Sequence, residues 1–175
     1  PRLLIVGMRD DVRERGDLFT KFTNEEDAVL AGYLPSPTSD YPNIKDIFSD
    51  LVDKKFEYGG STDSYPRAPK NAWQEKIRTL PVGNEIIGKG EALTEQKYSK
   101  HSPKVVERFS HMIANRGEIP DHLKTKKFAQ RLLPKTWGNK GPTITACSLP
   151  DDFVHYSQPR SLTVREWARL QTFPD

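Results

Sequence analysis

The chain has 175 residues, of which 35% are apolar and 29% are charged, and its formal net charge is +3. This length fits about one domain, and 11 glycines with 14 prolines predict a fold rich in loops. A single cysteine rules out an internal disulfide and favours a reducing, cytoplasmic compartment. The longest apolar run has six residues, Leu3 to Met8, which is too short for a membrane span or the apolar core of a signal peptide.

The chain opens on the run Arg-Leu-Leu-Ile-Val-Gly at residues 2–7, which predicts a buried strand. A buried strand needs partner strands, and none precedes it. The last residues directly follow a predicted helix. We therefore expect the sequence to be a piece of a larger protein.

Four short helices are predicted where a capping residue precedes apolar residues that lie three or four positions apart. Their capping residues are Asn24, Asn43, Asn71 and Ser102. In the last of these helices, Lys104 and Arg108 are expected away from the apolar face, towards phosphates or, as is more common, towards water. The region from Tyr58 to Pro69 is rich in Gly, Ser, Pro and Tyr and is predicted to be a loop.

The positive charge is concentrated in one region. Residues 97–140 contain eleven lysines and arginines but three acidic residues, so their net charge is +8. Such a distribution favours a polyanionic partner, most commonly nucleic acid. An ordinary solvated surface explains the same charge equally well. The lysines that we predict to contact phosphates are Lys124, Lys126 and Lys127.

Residues 136–145 combine an aromatic residue, two glycines, an amide, a cation and three threonines. Trp137, Asn139 and Lys140 are candidates for reading bases, because Asn pairs with adenine and Lys with guanine. Thr143 and Thr145 are candidates for binding phosphates through their hydroxyls. The alternative, which this segment by itself favours, is a hairpin in which Trp137 packs on the core and the two threonines share one strand face. Among four histidines and one cysteine no spacing is typical of a metal site, so no metal is predicted.

The last sixteen residues predict a well-marked helix. Thr163 and Glu166 have the spacing of a capping box, and Leu162 with Trp167 has that of a hydrophobic staple. Pro174 is expected to end the helix.

This ending, R-x-L-T-x-R-E-x-A-R-L-Q-x-F-P-D, closely resembles the ninth motif of the DNA (cytosine-5) methyltransferases. The opening run resembles the end of the eighth motif, and Gly-Pro-Thr-Ile-Thr at 141–145 resembles the segment before the ninth. Residues from about 10 to 130 match only diffusely, as the variable target-recognition region of that family would.

The resemblance implies roles for several residues. Arg2 matches the second Arg of Q-x-R-x-R, which helps to hold the flipped cytosine, and is therefore the one residue predicted to line the catalytic site. Thr143 matches a threonine near the phosphate of the flipped nucleotide. Arg160, Glu166 and Arg169, with Thr163 as the helix cap, are assigned to organising the recognition domain against the catalytic domain.

Three family features are absent from these 175 residues. There is no Pro-Cys nucleophile, no F-x-G-x-G turn for S-adenosylmethionine and no Glu-Asn-Val for the cytosine ring. The resemblance therefore implies a parent enzyme that uses S-adenosylmethionine, and a fragment that by itself binds no cofactor and methylates nothing.

The expected fold is α+β, with short antiparallel strands, several small helices and terminal segments that belong to a missing α/β catalytic domain. Residues 1–9 would complete a catalytic-domain strand, 10–159 would form the target-recognition domain, and 160–175 would link back to the catalytic domain. The expected partners are double-stranded DNA and that catalytic domain, in a bacterial cytoplasm, on the nucleoid and within a restriction–modification system. The alternatives are a general nucleic-acid-binding module or a protein-interaction module.

Overall fold

The computed structural model describes residues 22, 24–32, 34, 36, 41–80, 82–125, 130–137, 141–142, 144 and 152–175. The chain divides into two compact units, Pro1–Asp40 and Tyr41–Asp175. The strand predicted at residues 2–7 lies outside the described residues. In the first unit, helix α1 spans Glu25–Leu30, and the side chain of Asn24 accepts a hydrogen bond from the backbone N–H of Asp27, as predicted.

The second unit contains four helices among its described residues. They are α2 at Ile44–Phe48, α3 at Ala72–Ile77, α4 at Pro103–Ala114 and α5 at Val164–Leu170. A 3₁₀ turn follows α4 at Asp121–Leu123. Asn43 and Asn71 cap α2 and α3, and Thr163 with Glu166 forms the capping box of α5, so these sequence predictions are confirmed.

Three details differ from the prediction. Ser102 precedes α4 but its side chain makes no capping hydrogen bond. Arg108 is buried instead of facing water or phosphate, and its Nε donates to the carbonyl of Leu123 at 2.7 Å. Helix α5 ends at Leu170, before Pro174, because Thr172 adopts a left-handed conformation with φ of 63°. The N–H groups of Thr172 and Phe173 then close the helix end on the carbonyls of Arg169 and Ala168.

The sheet also differs from the expected antiparallel strands. Strand β1, Arg131–Leu132, pairs in parallel with β2, Phe153–Val154. The connection of about 20 residues between them is long enough for the crossover that a parallel pair requires. Antiparallel pairing is found in the described residues as four isolated bridges, Ser61 with Lys97, Ser64 with Ala92, Thr79 with Ile86 and Val154 with Ser161. The fold is thus a mixture of helices and short strands.

The largest apolar cluster lies between α2, β2 and α5. Ile44, Ile47 and Phe48 of α2 pack there with Phe153 and Leu162. A second cluster joins α4 to β2 through Phe109, Met112 and Val154. None of the helices in the described part of the chain is long and apolar enough to cross a membrane.

Candidate nucleic-acid interface

Helix α5 packs Trp167 and Leu170 against the main apolar cluster but also buries charged side chains. Its charged residues Arg165, Glu166 and Arg169 are all buried, whereas Val164 is 61% exposed. Phe173, just beyond the helix end, is also 61% exposed. Charged side chains are rarely buried without partners. The buried charges of α5 must therefore have hydrogen-bonding or ion-pair partners inside the fold.

The first buried network pairs Glu166 with Arg160. Two guanidinium nitrogens of Arg160 donate to the two carboxylate oxygens of Glu166, at 2.6 and 2.8 Å. The same carboxylate accepts the backbone N–H of Thr163 at 3.0 Å, which closes the capping box. Such a bidentate, charge-assisted arrangement fixes geometry more strongly than a single hydrogen bond does.

Two glutamines complete this network. The side-chain oxygen of Gln158 accepts from Nε and Nη2 of Arg160, at 3.1 and 2.8 Å. The amide of Gln96 donates to Glu166 at 3.3 Å and accepts from the hydroxyl of Thr163 at 2.8 Å. The guanidinium also lies 4.9 Å from the ring centre of Tyr98. Every donor of the buried Arg160 thus has an acceptor.

His155 lies against this network and is fully buried. Its Nδ1 accepts the backbone N–H groups of Ser157 and Gln158 at 3.2 and 3.0 Å, so the proton of the neutral ring is on Nε2. That Nε2 is 3.7 Å from a carboxylate oxygen of Glu166 and makes no hydrogen bond within the described part of the chain. Burial, together with the charge of Arg160, lowers the pKa of His155 to about 3.

The pKa of Glu166 moves in the direction that favours its charged form. Burial alone would raise this pKa, but the charge of Arg160, together with the smaller effects of His155 and of the hydrogen bonds from Arg160 and Thr163, outweighs burial and lowers it to about 2. At neutral pH the centre therefore holds one cation, one anion and one neutral imidazole.

The second buried network surrounds Arg169. Its Nη1 and Nη2 donate to the two carboxylate oxygens of Asp50, at 2.6 and 2.9 Å, and Nη1 also donates to the carbonyl of Ile47 at 2.7 Å. Its Nε donates to Asp175 at 3.0 Å. Burial would lower the pKa of Arg169, but the hydrogen bonds to Asp175 and Asp50 keep it above the ordinary arginine value.

Asp50 connects this network to Arg78, which is fully buried. Nη1 of Arg78 donates to Asp50 at 3.1 Å, and Nη2 donates to the carbonyl of Gly88 at 2.7 Å. Its guanidinium carbon lies 3.7 Å from the ring centre of Tyr65, whose hydroxyl donates to Asp175 at 2.7 Å. Burial and the charge of Asp175 raise the pKa of that hydroxyl.

The structure buries four of the residues that were predicted from the ninth-motif resemblance. Arg160, Thr163, Glu166 and Arg169 are buried in the two networks. Lys124 is exposed, and its Nζ binds Asp121 at 2.7 Å. This hydrogen bond lowers the pKa of Asp121. Trp137 is half-buried and packs against the main apolar cluster, as in the hairpin alternative. The remaining candidates lie outside the described residues: Arg2, Lys126, Lys127, Asn139, Lys140, Thr143 and Thr145.

Sequence reasoning did not identify the partners of the buried arginines. Asp50 lies 119 residues before Arg169, and Gln96 lies 70 residues before its partner Glu166, so no local pattern marks these contacts. One signal in the sequence could have indicated that these charges are buried. In the last helix, Arg165, Glu166 and Arg169 do not form a polar face opposite a separate apolar face.

The comparison with known families agrees with the resemblance at both ends of the chain. The model of the C-5 cytosine-specific DNA methylases matches residues 1–175. The chain belongs to this family. Within the described residues of this family member, no group of His, Cys, Asp and Glu side chains is arranged to hold a metal ion.

Two curated relatives illustrate the relationship. Type II methyltransferase M.DdeI of Desulfomicrobium norvegicum is 28% identical over 151 residues, which cover 78% of this chain and 34% of that protein. Type II methyltransferase M.BbvI of Brevibacillus brevis is 32% identical over 119 residues, which cover 62% of this chain and 31% of that protein. The chain spans about a third of the length of each.

Proposed function

We propose that this chain is the target-recognition part of a DNA cytosine-5 methyltransferase. The parent enzyme would transfer a methyl group from S-adenosylmethionine to carbon 5 of a cytosine within a specific duplex sequence. The carrying observation is a family match along all 175 residues, in a sequence that has the ninth-motif helix but neither the Pro-Cys nucleophile nor the glycine-rich cofactor turn. We therefore assign sequence recognition and DNA binding to these residues.

Three buried carboxylates of the described residues are already occupied by arginines. Proteins commonly bind the ribose hydroxyls of a nucleoside cofactor with an Asp or Glu carboxylate. Asp50, Glu166 and Asp175 have fully buried side chains, and each of them already receives arginine hydrogen bonds. These residues do not fit S-adenosylmethionine, which we assign to the part of the parent outside this sequence.

Helix α5 supports a role as the junction with that other part. Its inner face is bonded to the recognition unit through Arg160, Glu166 and Arg169, and Thr163 fixes its start. Its outer side exposes Val164, and Phe173 is exposed just beyond the helix end. In our proposal these two side chains contact the other part of the parent enzyme.

Chemistry at carbon 5 requires the cytosine to leave the base stack. In our proposal Arg2 contacts the flipped cytosine, and Thr143 and Thr145 contact the phosphates beside it. Trp137, Asn139 and Lys140 read the neighbouring base edges, and Lys124, Lys126 and Lys127 hold the backbone. A restriction–modification methyltransferase of this kind would act on the bacterial nucleoid in the cytoplasm.

The test is selection of a randomised duplex DNA pool by the purified chain, at about 50 and 200 mM salt, followed by sequencing of the bound duplexes. We expect binding that weakens with salt and enrichment of a short motif that contains cytosine. A chain that retains no duplex at the lower salt would overturn the proposal. Asn139→Ala should change the enriched motif, whereas Lys126→Ala with Lys127→Ala should weaken binding on all sequences alike.

A further inference from the structure

Four exposed lysines lie on two segments that the fold holds side by side. Lys54 and Lys55 belong to the first segment, and Lys97 and Lys100 to the second. We call these four residues the lysine ridge. None of the four forms an ion pair with another residue in the described ranges, in contrast to Lys124, whose ammonium is already bound to Asp121.

Backbone pairing brings the two segments together. Ser61 forms an antiparallel bridge with Lys97, and the N–H of Tyr98 donates to the carbonyl of Gly60 at 2.9 Å. Tyr98 is buried, so the side chain of Lys97, its neighbour on an extended segment, points to the opposite, exposed side. At Gly59, with φ of +83°, an added Cβ would lie 3.5 Å from Cβ of Lys100, so the stem of this lysine runs over the glycine turn.

The turn that carries Lys54 and Lys55 is attached to the same pair of segments. Asp53 directly precedes it, and its carboxylate accepts from the hydroxyl of Thr62 at 2.9 Å and from the N–H of Lys55 at 2.8 Å. Thr62 in turn donates its backbone N–H to the carbonyl of Gln96 at 3.1 Å. These two hydrogen bonds from neutral donors fix the turn, and the negative charge of Asp53 remains beside the lysines.

Both segments are also fastened to the Arg160–Glu166 network. Gln158 donates to the carbonyl of Asp53 at 2.6 Å, and the hydroxyl of Tyr58 donates to the carbonyl of Pro159 at 3.2 Å. Gln96 bonds directly to Glu166. The ridge is therefore a preformed surface that requires little ordering when a partner binds.

We propose that the lysine ridge contacts the phosphate backbone of duplex DNA, as a site separate from the lysines predicted around residues 124–127. The inference rests on the proposed function, because it concerns how the same chain grips DNA. In residues 53–62 and 95–100 the four lysines outnumber three acids, Asp53, Glu57 and Glu95. Lysine ammonium groups bind phosphates without regard to base sequence, so the ridge adds affinity and no base preference.

The test compares charge removal on the ridge with equal charge removal elsewhere. Lys97→Ala with Lys100→Ala, and separately Lys54→Ala with Lys55→Ala, are measured for duplex binding between about 50 and 200 mM salt. The control is Lys45→Ala with Lys76→Ala, which removes two exposed lysines from α2 and α3. All these side chains are exposed, so the variants should unfold at the wild-type temperature.

Loss of two phosphate contacts should flatten the plot of log affinity against log salt by about 2. The affinity deficit of each ridge variant should accordingly shrink about tenfold over that salt range, on every duplex sequence. Ridge variants whose slopes equal that of the control overturn the inference and leave the proposed function intact. A wild-type chain that binds no duplex at about 50 mM salt overturns both.

Discussion

Helices α4 and α5 differ in the kinds of side chain that they bury. Helix α4 buries Phe109 and Met112 and exposes Glu107, as an ordinary amphipathic helix does. Helix α5 buries Glu166 and Arg169 and exposes Val164. Helix α4 also buries one charge, Arg108, which donates to a backbone carbonyl, but most of its buried face is apolar. Helix α5 buries three charged side chains, and each of them needs its own hydrogen-bonding partners.

The strongest test of this contrast is Glu166→Gln. The substitution leaves Arg160 buried with its charge uncompensated, which should cost about 3–5 kcal/mol of unfolding free energy. Chemical denaturation measures this loss. Glu107→Gln on the exposed side of α4 is the matched control and should change stability by less than about 0.5 kcal/mol. Equal effects at the two positions would mean that the buried pair contributes no more than a surface charge.

On the α4 side, Met112→Ala should cost about 2–5 kcal/mol, because it opens a cavity in the cluster with Phe109 and Val154. Ser110→Ala, on the exposed side of the same helix, should have almost no effect. Thermal and denaturant unfolding of the two variants would show whether α4 is held by apolar burial. A stable Met112→Ala variant would be inconsistent with this.

Two neighbouring apolar positions sharpen the comparison further. Leu162 is buried in the main cluster, whereas Val164, two residues later, faces outward on α5. Leu162→Ala should cost about 2–5 kcal/mol, and Val164→Ala should cost less than about 0.5 kcal/mol. A large loss at Val164 in this 175-residue chain would show that the outer side of α5 is already packed.

The capping residues were the most predictable part of the fold. Asn24, Asn43, Asn71 and Thr163 were recognisable because capping depends on residues two or three positions away. The burial of Arg108 was not predictable, since its acceptor is a backbone carbonyl 15 residues further along the chain. Every residue has a backbone carbonyl, so the sequence does not show which one accepts a hydrogen bond from a buried arginine.

The sequence identified residues of the candidate site but did not identify their hydrogen-bonding partners. The ninth-motif resemblance picked out Arg160, Glu166 and Arg169, but the acceptor of Arg169 is Asp50, 119 residues earlier. The parallel pairing of β1 and β2 is similarly a long-range property, which local alternation of apolar and polar residues does not determine.

A smaller expected effect is a dependence of stability on pH, caused by His155, which lies against Glu166 of α5. The folded pKa of His155, about 3, is below the unfolded value of 6.5, so the unfolded chain binds an extra proton as pH falls. Stability should therefore decrease below about pH 6.5, by at most about 1.4 kcal/mol per pH unit for this one group. Glu166, whose folded pKa of about 2 is also depressed from 4.5, adds a further loss below about pH 4.5.

His155→Gln isolates the histidine contribution. The slope of unfolding free energy between about pH 5 and 6.5 should become flatter in this variant, whatever its absolute stability. His111→Gln on α4 is the control, because that histidine is partly exposed and bonded to Asn115 on the same helix. An unchanged slope in His155→Gln would argue that the imidazole is protonated in the folded chain.

The ion pairs of α5 also carry a consequence for the order of synthesis. The carbonyl of Ile47 and the carboxylate of Asp50 are made long before Arg169, their partner. At about 5–20 residues per second, the 119 residues from Asp50 to Arg169 take roughly 6–24 s to synthesise. During that time α2 lacks α5, which packs against its apolar side. In the nascent chain, Ile44, Ile47 and Phe48 therefore lack this packing partner until α5 has been made.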